Sequence, residues 1–182
     1  MEFLSVYNRF GEKTPGIIER GEAHRNGTLH RVFHLWIINS KNQILVQQRS
    51  AEKETGGNLW YVSVAGHIGS GESLEQGILR EAQEEIGLDI SPLANKINYL
   101  YSFYETRVYN NGGFIDNEFY DVFVLKCDFA LEEMTMQESE VQALKYMDYS
   151  DFAGALQYEN HDFVPHETCY KMLLTALDNY LK

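Results

Sequence analysis

The chain has 182 residues, of which 44% are hydrophobic and 23% charged, and its formal net charge is −12. This composition suits one globular domain with a sizeable core and argues against disorder. The acidic balance disfavours nucleic acid and anionic membranes as partners. No secretory pattern, membrane-span pattern or disulfide framework is evident, so we expect a cytoplasmic protein.

The first third of the chain predicts strands separated by turns. Strand-forming residues and turn signals alternate there. The predicted elements are a short strand or hairpin with loops over 1–27, strands over 29–39 and 43–49, a loop over 50–58, and a strand over 60–68 that enters a glycine loop.

The remainder predicts two helices and three strands. Ser73 and Gln76 form a capping-box pattern, and Gly87 suits the residue after a helix. The predicted elements are a helix over 73–86, strands over 97–109 and 117–126 joined by a turn over 110–113, a strand over 141–149, and a helix over 166–181. This order indicates an α+β or α/β sandwich with a mixed sheet.

The first predicted helix carries glutamates beside its apolar face. On a helical wheel Glu85 projects between Leu74 and Ile78, Glu81 lies just outside that stripe, and Glu84 lies further out. Clustered carboxylates repel one another, and a divalent cation removes that repulsion. Oxygen-only ligands indicate Mg²⁺ or Mn²⁺. A glutamate-rich helix is more commonly just a solvated surface. The residues around the helix are therefore needed to distinguish a metal site from an exposed helix face.

A wider pattern extends from the glycine loop to the end of the helix. It comprises Gly66, Glu72, Arg80-Glu81, Glu84-Glu85 and Gly87-Leu88. The spacing resembles the complete signature of the Nudix hydrolase family, the Nudix box. The resemblance covers residues 28–150 of a single domain over 1–182, with the box at 66–88.

The resemblance implies an α/β/α sandwich with a mixed sheet flanked by helices. It also implies hydrolysis of a small molecule in which a nucleoside diphosphate is linked to another group, with Mg²⁺ or Mn²⁺ as cofactor. The implied metal ligands are Glu81 and Glu85, with Glu84, the Gly66 carbonyl and Glu118 as further ligands. The implied catalytic residues are Glu81, Glu84, Arg80 and Glu72. The base is Glu81 or a carboxylate on a later loop, and a homodimer is a further expectation.

A closer resemblance is to the branch that includes type 1 isopentenyl-diphosphate isomerase. It rests on residues 29–34, 45–49, 65–67 and 116–118. His30, His67 and Glu118 match a separate metal site of the isomerases, and Asp116 takes an acidic position there. His24 is near a further ligand position without being in register with it. For a histidine in a strand, a structural role is the commoner alternative.

The departures from the isomerases favour hydrolysis. Ala65 stands where they place an essential cysteine, and alanine cannot transfer a proton. The box is complete here and degenerate in the isomerases. Isomerisation is therefore the alternative, and a catalytically silent binding module is a third, which the intact acidic set argues against. The substrate stays open, because specificity would come from loops at 50–59, 104–116 and 150–165.

Overall fold

The computed structural model describes residues 1–157 and 162–181. The strands are β1 (Phe3–Tyr7), β2 (Lys13–Glu19), β3 (His30–Ile38), β4 (Gln43–Arg49), β5 (Trp60–Tyr61), β6 (Val64–His67), β7 (Asn98–Tyr109), β8 (Phe114–Lys126) and β9 (Val141–Asp148). The α-helices are α1 (Arg20–Asn26), α2 (Leu74–Ile86), α3 (Tyr149–Gln157) and α4 (Glu167–Tyr180). None of the helices in these two ranges is long and apolar enough to cross a membrane.

Strand β3 organises a mixed, seven-stranded sheet. The strand order is β5-β4-β3-β8-β7, with β6 also paired to β3 and β9 to β4. The β3–β8 pairing is parallel and the other pairings in this sheet are antiparallel. The register places His30 beside Glu118, while Val32 pairs with His67 of β6. The sheet therefore brings three polar residues together that are far apart in sequence.

The sheet is buried on both faces, as in a three-layer sandwich. Alternate residues of a strand point to opposite faces. Phe33, Leu35 and Ile37 belong to one apolar cluster together with residues of α2. Trp36 and Ile38 belong to the other, together with residues of α3 and α4. The α+β class and the mixed sheet flanked by helices, both predicted from the sequence, are confirmed.

Helix α2 forms as its sequence predicts. Ser73 is the N-cap and accepts a hydrogen bond from the Gln76 backbone, whose side chain accepts one in return from the Ser73 backbone N–H. Gly87 ends the helix at φ 70°, a conformation that favours glycine. Its backbone also packs against Thr135 so closely that a Cβ would lie 2.8 Å from the Thr135 carbonyl oxygen. Both ends of the glutamate-bearing helix are thus fixed.

Several boundaries differ from the prediction. Helix α1 lies within a segment that was predicted to be strand and loop. The prediction missed the helix because only Ala23 and His24 are buried, so the sequence shows no apolar stripe. The predicted strand over 60–68 is divided into β5 and β6, and α3 was not predicted. Residues 104–116 belong mostly to the paired strands β7 and β8 instead of a loop. Of the predicted loop over 150–165, residues 158–161 lie outside the described residues.

Candidate active site and metal centre

A cleft of about 750 Å³ contains the residues of the box. The glycine loop, α2, the β7–β8 hairpin and the segment after β4 all contribute to its walls. The N-terminal residues Met1, Glu2 and Phe3 also line it, which the sequence patterns did not indicate. The reason is a backbone contact: the Ser70 N–H donates to the Phe3 carbonyl at 2.7 Å. The first strand is thus attached to the glycine loop.

Arg80 holds the acidic residues of the cleft together. Its guanidinium makes a two-pronged contact with Glu72, through Nε at 2.9 Å and Nη2 at 3.0 Å. Nη1 donates to Glu81 at 2.8 Å and to Glu84 at 3.0 Å, and Nη2 also donates to the His67 carbonyl at 3.2 Å. The hydrogen bonds from Arg80 lower the pKa of Glu72. The predicted pairing of Arg80 with Glu72 is therefore present in the structure.

The glutamates of α2 differ in exposure as the helical wheel predicts. The Glu84 side chain is 52% exposed, that of Glu81 is 15% exposed, and Glu85 is buried. Glu85 accepts hydrogen bonds from Gln47 at 3.2 Å and from the Ala65 N–H at 3.3 Å. Burial raises the pKa of Glu81 to about 7. Burial, and then the charge of Glu81, raise the pKa of Glu85 to about 8.

These two carboxyl groups fit a divalent cation. Both are removed from water and each disfavours the charge of the other, so a positive ion between them would relieve both penalties. Their hard oxygen atoms are the donors that Mg²⁺ and Mn²⁺ prefer. Glu84, at the exposed end of the row, can complete such a ligand set from the solvent side.

The Gly66 position allows the Glu81 carboxylate to lie against the backbone. A Cβ at residue 66 would be 2.5 Å from the Cγ, Cδ and Oε1 atoms of Glu81, a distance that real contacts do not reach. Only glycine can therefore occupy this position while Glu81 keeps its place. This close approach, and not the backbone conformation, explains the glycine.

We expect Gly66→Ala to lower kcat by tenfold to a hundredfold with little loss of stability. The added methyl group displaces the flexible end of Glu81, and misplacing a group beside the metal typically costs this much. Steady-state kinetics and thermal unfolding check the two effects. Gly154→Ala is the matched control, since a Cβ there meets no atom of residues 1–157 and 162–181 within 4 Å. Unchanged kcat in Gly66→Ala would contradict the placement of Glu81.

We expect the metal-free protein to lose stability as the pH rises from about 5 to 8. The pKa of Glu85 rises from 4.5 to about 8 on folding, so the folded state holds a proton that the unfolded state has lost, and stability falls with pH across that window. The decrease in Tm should be roughly 5–10 °C for a chain of this size. Mg²⁺ should raise Tm more at pH 8 than at pH 6, because metal binding displaces the proton.

Thermal unfolding in EDTA and in Mg²⁺ at several pH values measures both trends. Glu85→Gln is the control, because it removes the titrating group while keeping the shape of the side chain. Its metal-free Tm should depend less on pH than that of the unmodified protein. Parallel pH profiles for the two proteins would contradict the raised pKa.

A second group of potential ligands lies on the sheet beside the box. Single atoms of His24, His30, His67 and Glu118 all lie within 4.8 Å of one another. Glu118 Oε1 is 3.1 Å from His30 Nε2 and 3.5 Å from His67 Nε2. The predicted residues His30, His67 and Glu118 are thus brought together. We call these four residues the histidine cluster.

The donor set of the histidine cluster fits a metal ion. His24 Nε2 and His67 Nε2 are buried and have no hydrogen-bond partner within residues 1–157 and 162–181. Orphaned buried donors or acceptors are costly, and a metal would use these lone pairs. The His30 Nδ1–H is positioned to donate to the Thr28 carbonyl at 2.8 Å, which leaves Nε2 for a metal. Three imidazoles and one carboxylate suit Zn²⁺, whereas the all-oxygen set of the box suits Mg²⁺ or Mn²⁺.

Sequence reasoning placed Asp116 in this group and left His24 beside it. In the structure His24 is a member, whereas Asp116 is outside the four and lies 3.2 Å from His24 Nδ1. The cause is α1, whose Glu19 N-cap and Gly27 end turn His24 inward. A histidine on an unpredicted helix could not be brought into register with the others. The one available signal was its position five residues before the strand of His30.

The charges of the histidine cluster depend on Glu118. Burial opposes ionisation of Glu118, but the hydrogen bond from His30 at 3.1 Å and the close approach of His67 Nε2 at 3.5 Å outweigh it and hold the Glu118 pKa well below its usual range. His30 is also buried, yet the Glu118 carboxylate raises the His30 pKa. Burial lowers the pKa of His67 to about 3. His67 is therefore neutral near pH 7, the form in which an imidazole binds a metal.

Ala65 lines the cleft. Its N–H donates to Glu85, and its methyl group can neither give nor accept a proton. Tyr61 also lines the cleft, whereas Phe103 packs on Tyr120 with ring centroids 4.7 Å apart. The cleft thus has no proton-transferring side chain at the position of Ala65.

Comparison with known proteins agrees with the fold and with the family resemblance. The sequence model of the NUDIX domain matches residues 28–166. The chain is 36% identical to Nudix hydrolase 3 of Arabidopsis thaliana over 169 residues, which are 91% of this chain and 22% of the plant protein. It is 31% identical to an isopentenyl-diphosphate Delta-isomerase of Shigella boydii over 165 residues, 90% of this chain and 86% of that protein.

A solved structure with a similar fold is DR0079 from Deinococcus radiodurans. Its TM-score is 0.72 at 23% identity, and the alignment covers 94% of this chain and 98% of that chain. The present chain therefore spans about a fifth of the plant relative's length and nearly all of the bacterial structure.

Proposed function

Because the chain belongs to the Nudix family of hydrolases that act on diphosphate bonds, we propose that it cleaves a nucleoside diphosphate linked to another group, with Mg²⁺ or Mn²⁺ as cofactor. Nudix hydrolases generally use divalent metal ions. The observation that carries the proposal is the Arg80 network, which aligns Glu72, Glu81 and Glu84 beside the buried Glu85. The proposed metal ligands are Glu81, Glu84, Glu85 and the Gly66 carbonyl.

The reaction adds water across a phosphorus–oxygen bond. The water oxygen bonds to one phosphorus, the bridging P–O bond breaks, and the water's proton leaves with a base. When bound, the metal supplies charge neutralisation at the phosphates and makes the attacking water more acidic. Glu81 is our candidate for the base, since its carboxylate lines the cleft beside the other proposed ligands and is held there by Arg80 Nη1 at 2.8 Å. Arg80 orients Glu81 and limits the repulsion among the carboxylates.

We further propose that the histidine cluster is an accessory metal site. Its support is the pair of unpartnered ring nitrogens, His24 Nε2 and His67 Nε2, that converge with His30 and Glu118. This assigns Glu118 to the histidines instead of to the box. Asp116 would then contact His24 Nδ1, the ring nitrogen that does not face the cluster, and would not be a ligand.

Isomerisation of isopentenyl diphosphate is the second candidate, favoured by the histidine cluster and by the similarity to the Shigella boydii isomerase. Ala65 argues against it, because a proton must be delivered and removed at carbon. A silent binding module is disfavoured, because the raised pKa values of Glu81 and Glu85 make an empty acidic site costly to keep. A homodimer and a cytoplasmic location stay predictions.

The test is a substrate panel with phosphate detection in Mg²⁺, Mn²⁺ or EDTA. The panel contains nucleotide sugars, dinucleotides, nucleoside triphosphates and isopentenyl diphosphate, the last also followed by NMR for dimethylallyl diphosphate. We expect metal-dependent release of phosphate products from at least one nucleotide and no dimethylallyl product. Isomerisation without hydrolysis would overturn the proposal, and no turnover of any compound would favour the binding module.

A further inference from the structure

Arg107 lies behind the histidine cluster at the wall of the cleft. It projects from β7, and its side chain is 18% exposed. Its Nη2 atom donates one hydrogen bond to the Tyr120 hydroxyl at 2.9 Å and another to Asp116 Oδ2 at 3.3 Å. One nitrogen of one guanidinium therefore contacts two different side chains, and each leads to a different member of the cluster.

The first connection runs through Asp116 to His24. Asp116 accepts from Arg107 with Oδ2, and its Oδ1 lies 3.2 Å from His24 Nδ1. A carboxylate at this distance favours a proton on Nδ1 and leaves the lone pair on Nε2, the unpartnered atom inside the cluster. The imidazole ring also stacks on Phe114 with centroids 4.3 Å apart. Asp116 and Phe114 together determine the tautomer and the ring plane.

The second connection runs through Tyr120 to Glu118. The Tyr120 hydroxyl accepts from Arg107 and donates to Glu118 Oε2. That leaves Glu118 Oε1 directed at His30 and His67. The Tyr120 ring is buried and stacks on Phe103, so the hydroxyl has little freedom to move. Tyr120 therefore selects which carboxylate oxygen faces the histidines.

We propose that Arg107 is the positioning residue of the histidine cluster, since it orients both a histidine ligand through Asp116 and the carboxylate ligand through Tyr120. Partners behind metal ligands typically change metal affinity by tenfold to a hundredfold. A lysine ammonium also has several hydrogens on one nitrogen, but it is a point charge on a flexible stem, so it cannot fix the directions of both hydrogen bonds as the rigid guanidinium does. The same arrangement places Asp116 between the two side chains, since its Oδ2 accepts from Arg107 and its Oδ1 lies 3.2 Å from His24 Nδ1.

A purely structural role is the competing explanation. Arg107 Nη1 also donates to the Pro165 carbonyl at 3.2 Å, and Nε lies 3.5 Å from Glu105. Arg107 thus links β7 to the segment before α4, and its loss will lower Tm in either case. A test must therefore measure metal affinity, and it must show whether the effect of one substitution on that affinity changes when a second substitution is present.

The experiment titrates Co²⁺ into protein freed of metal and follows visible absorption. Four-coordinate Co²⁺ has strong visible bands, whereas six-coordinate Co²⁺ has weak ones, so a strong signal reports binding to the four ligand atoms of the histidine cluster. We expect Asp116→Asn and Tyr120→Phe each to weaken Co²⁺ binding about tenfold, and Arg107→Met to weaken it as much as both together, about a hundredfold. In the Arg107→Met background, Tyr120→Phe should add less than about threefold.

Arg31→Met is the matched control. Arg31 lies in the same sheet with a side chain 25% exposed and pairs with the buried Asp121 at 2.6 Å, so it should lower Tm without changing Co²⁺ affinity. Arg107→Lys serves if Arg107→Met fails to fold, and it should bind Co²⁺ at least tenfold more weakly. Unchanged affinity, or fully additive effects of Arg107→Met and Tyr120→Phe, would overturn the proposal. Absence of Co²⁺ binding by the unmodified protein would exclude the histidine cluster as a metal site. It would not contradict the proposal of hydrolysis at the box.

Discussion

Replacing Glu85 with glutamine is expected to lower kcat by roughly a thousandfold. Glu85 is the most deeply buried of the three α2 glutamates proposed as metal ligands, Glu81, Glu84 and Glu85. Glutamine keeps the shape of the side chain, and its carbonyl oxygen can still accept from Gln47 and the Ala65 N–H. The loss of a negative charge should therefore remove metal binding and turnover without unfolding the protein.

Steady-state kinetics at saturating Mg²⁺ and thermal unfolding in EDTA measure the two properties. We expect the metal-free Tm of Glu85→Gln to equal or exceed that of the unmodified protein above pH 8, where Glu85 ionises in the folded protein and the substitution removes a buried charge. Glu75→Gln, on the exposed first turn of α2, is the matched control and should leave both properties unchanged. Full activity in Glu85→Gln would exclude the box as the catalytic metal site.

Arg80→Lys is expected to lower kcat about a hundredfold, although it keeps the positive charge. The guanidinium contacts Glu72 through two nitrogens while also donating to Glu81 and Glu84. An ammonium group is a point donor on a flexible stem and cannot hold three carboxylates in one plane. The carboxylates would then separate, and the geometry of the metal ligands would be lost.

The same substitution should lower Tm by about 5 °C. The effect is moderate because Arg80 is one third exposed, so solvent screens its ion pairs and they contribute only in part to stability. The kinetic and thermal measurements are those used for Glu85→Gln. Arg25→Lys is the control, since Arg25 is 65% exposed and its contact with Glu19 is 3.8 Å long. Equal kcat for Arg80→Lys and the unmodified protein would show that charge alone suffices at position 80.

The box was predictable because its information is local. Glu81, Glu84, Glu85, Arg80 and Glu72 lie within one loop and one helix, and helical geometry alone orders their exposure. Ser73 and Gly87 mark the ends of that helix, so the helical wheel had the correct boundaries. The order of exposure predicted for the glutamates is the order that the structure has.

The histidine cluster was only partly predictable because its information is distributed. The parallel pairing of β3 and β8 places His30 beside Glu118, and no local pattern specifies that register. His24 lies on a seven-residue helix with no apolar periodicity, so neither its helix nor its direction could be read. The role of Asp116 depends on Arg107, whose partners are set by tertiary contacts. The family resemblance supplied residue types at these positions without supplying their orientations.

Both groups of ligands are positioned by contacts with the same short strand, β6. Glu85 bonds to the Ala65 N–H, Glu81 lies against Gly66, and the His67 carbonyl binds Arg80 while its ring joins the histidines. A strand advances about 3.3 Å per residue, so both groups are anchored to points about 7 Å apart on one backbone. A one-residue insertion there would turn each side chain of β6 to the opposite face. Such a change would disrupt both groups of ligands together. We infer that the whole cleft is sensitive to insertions in the four residues of β6.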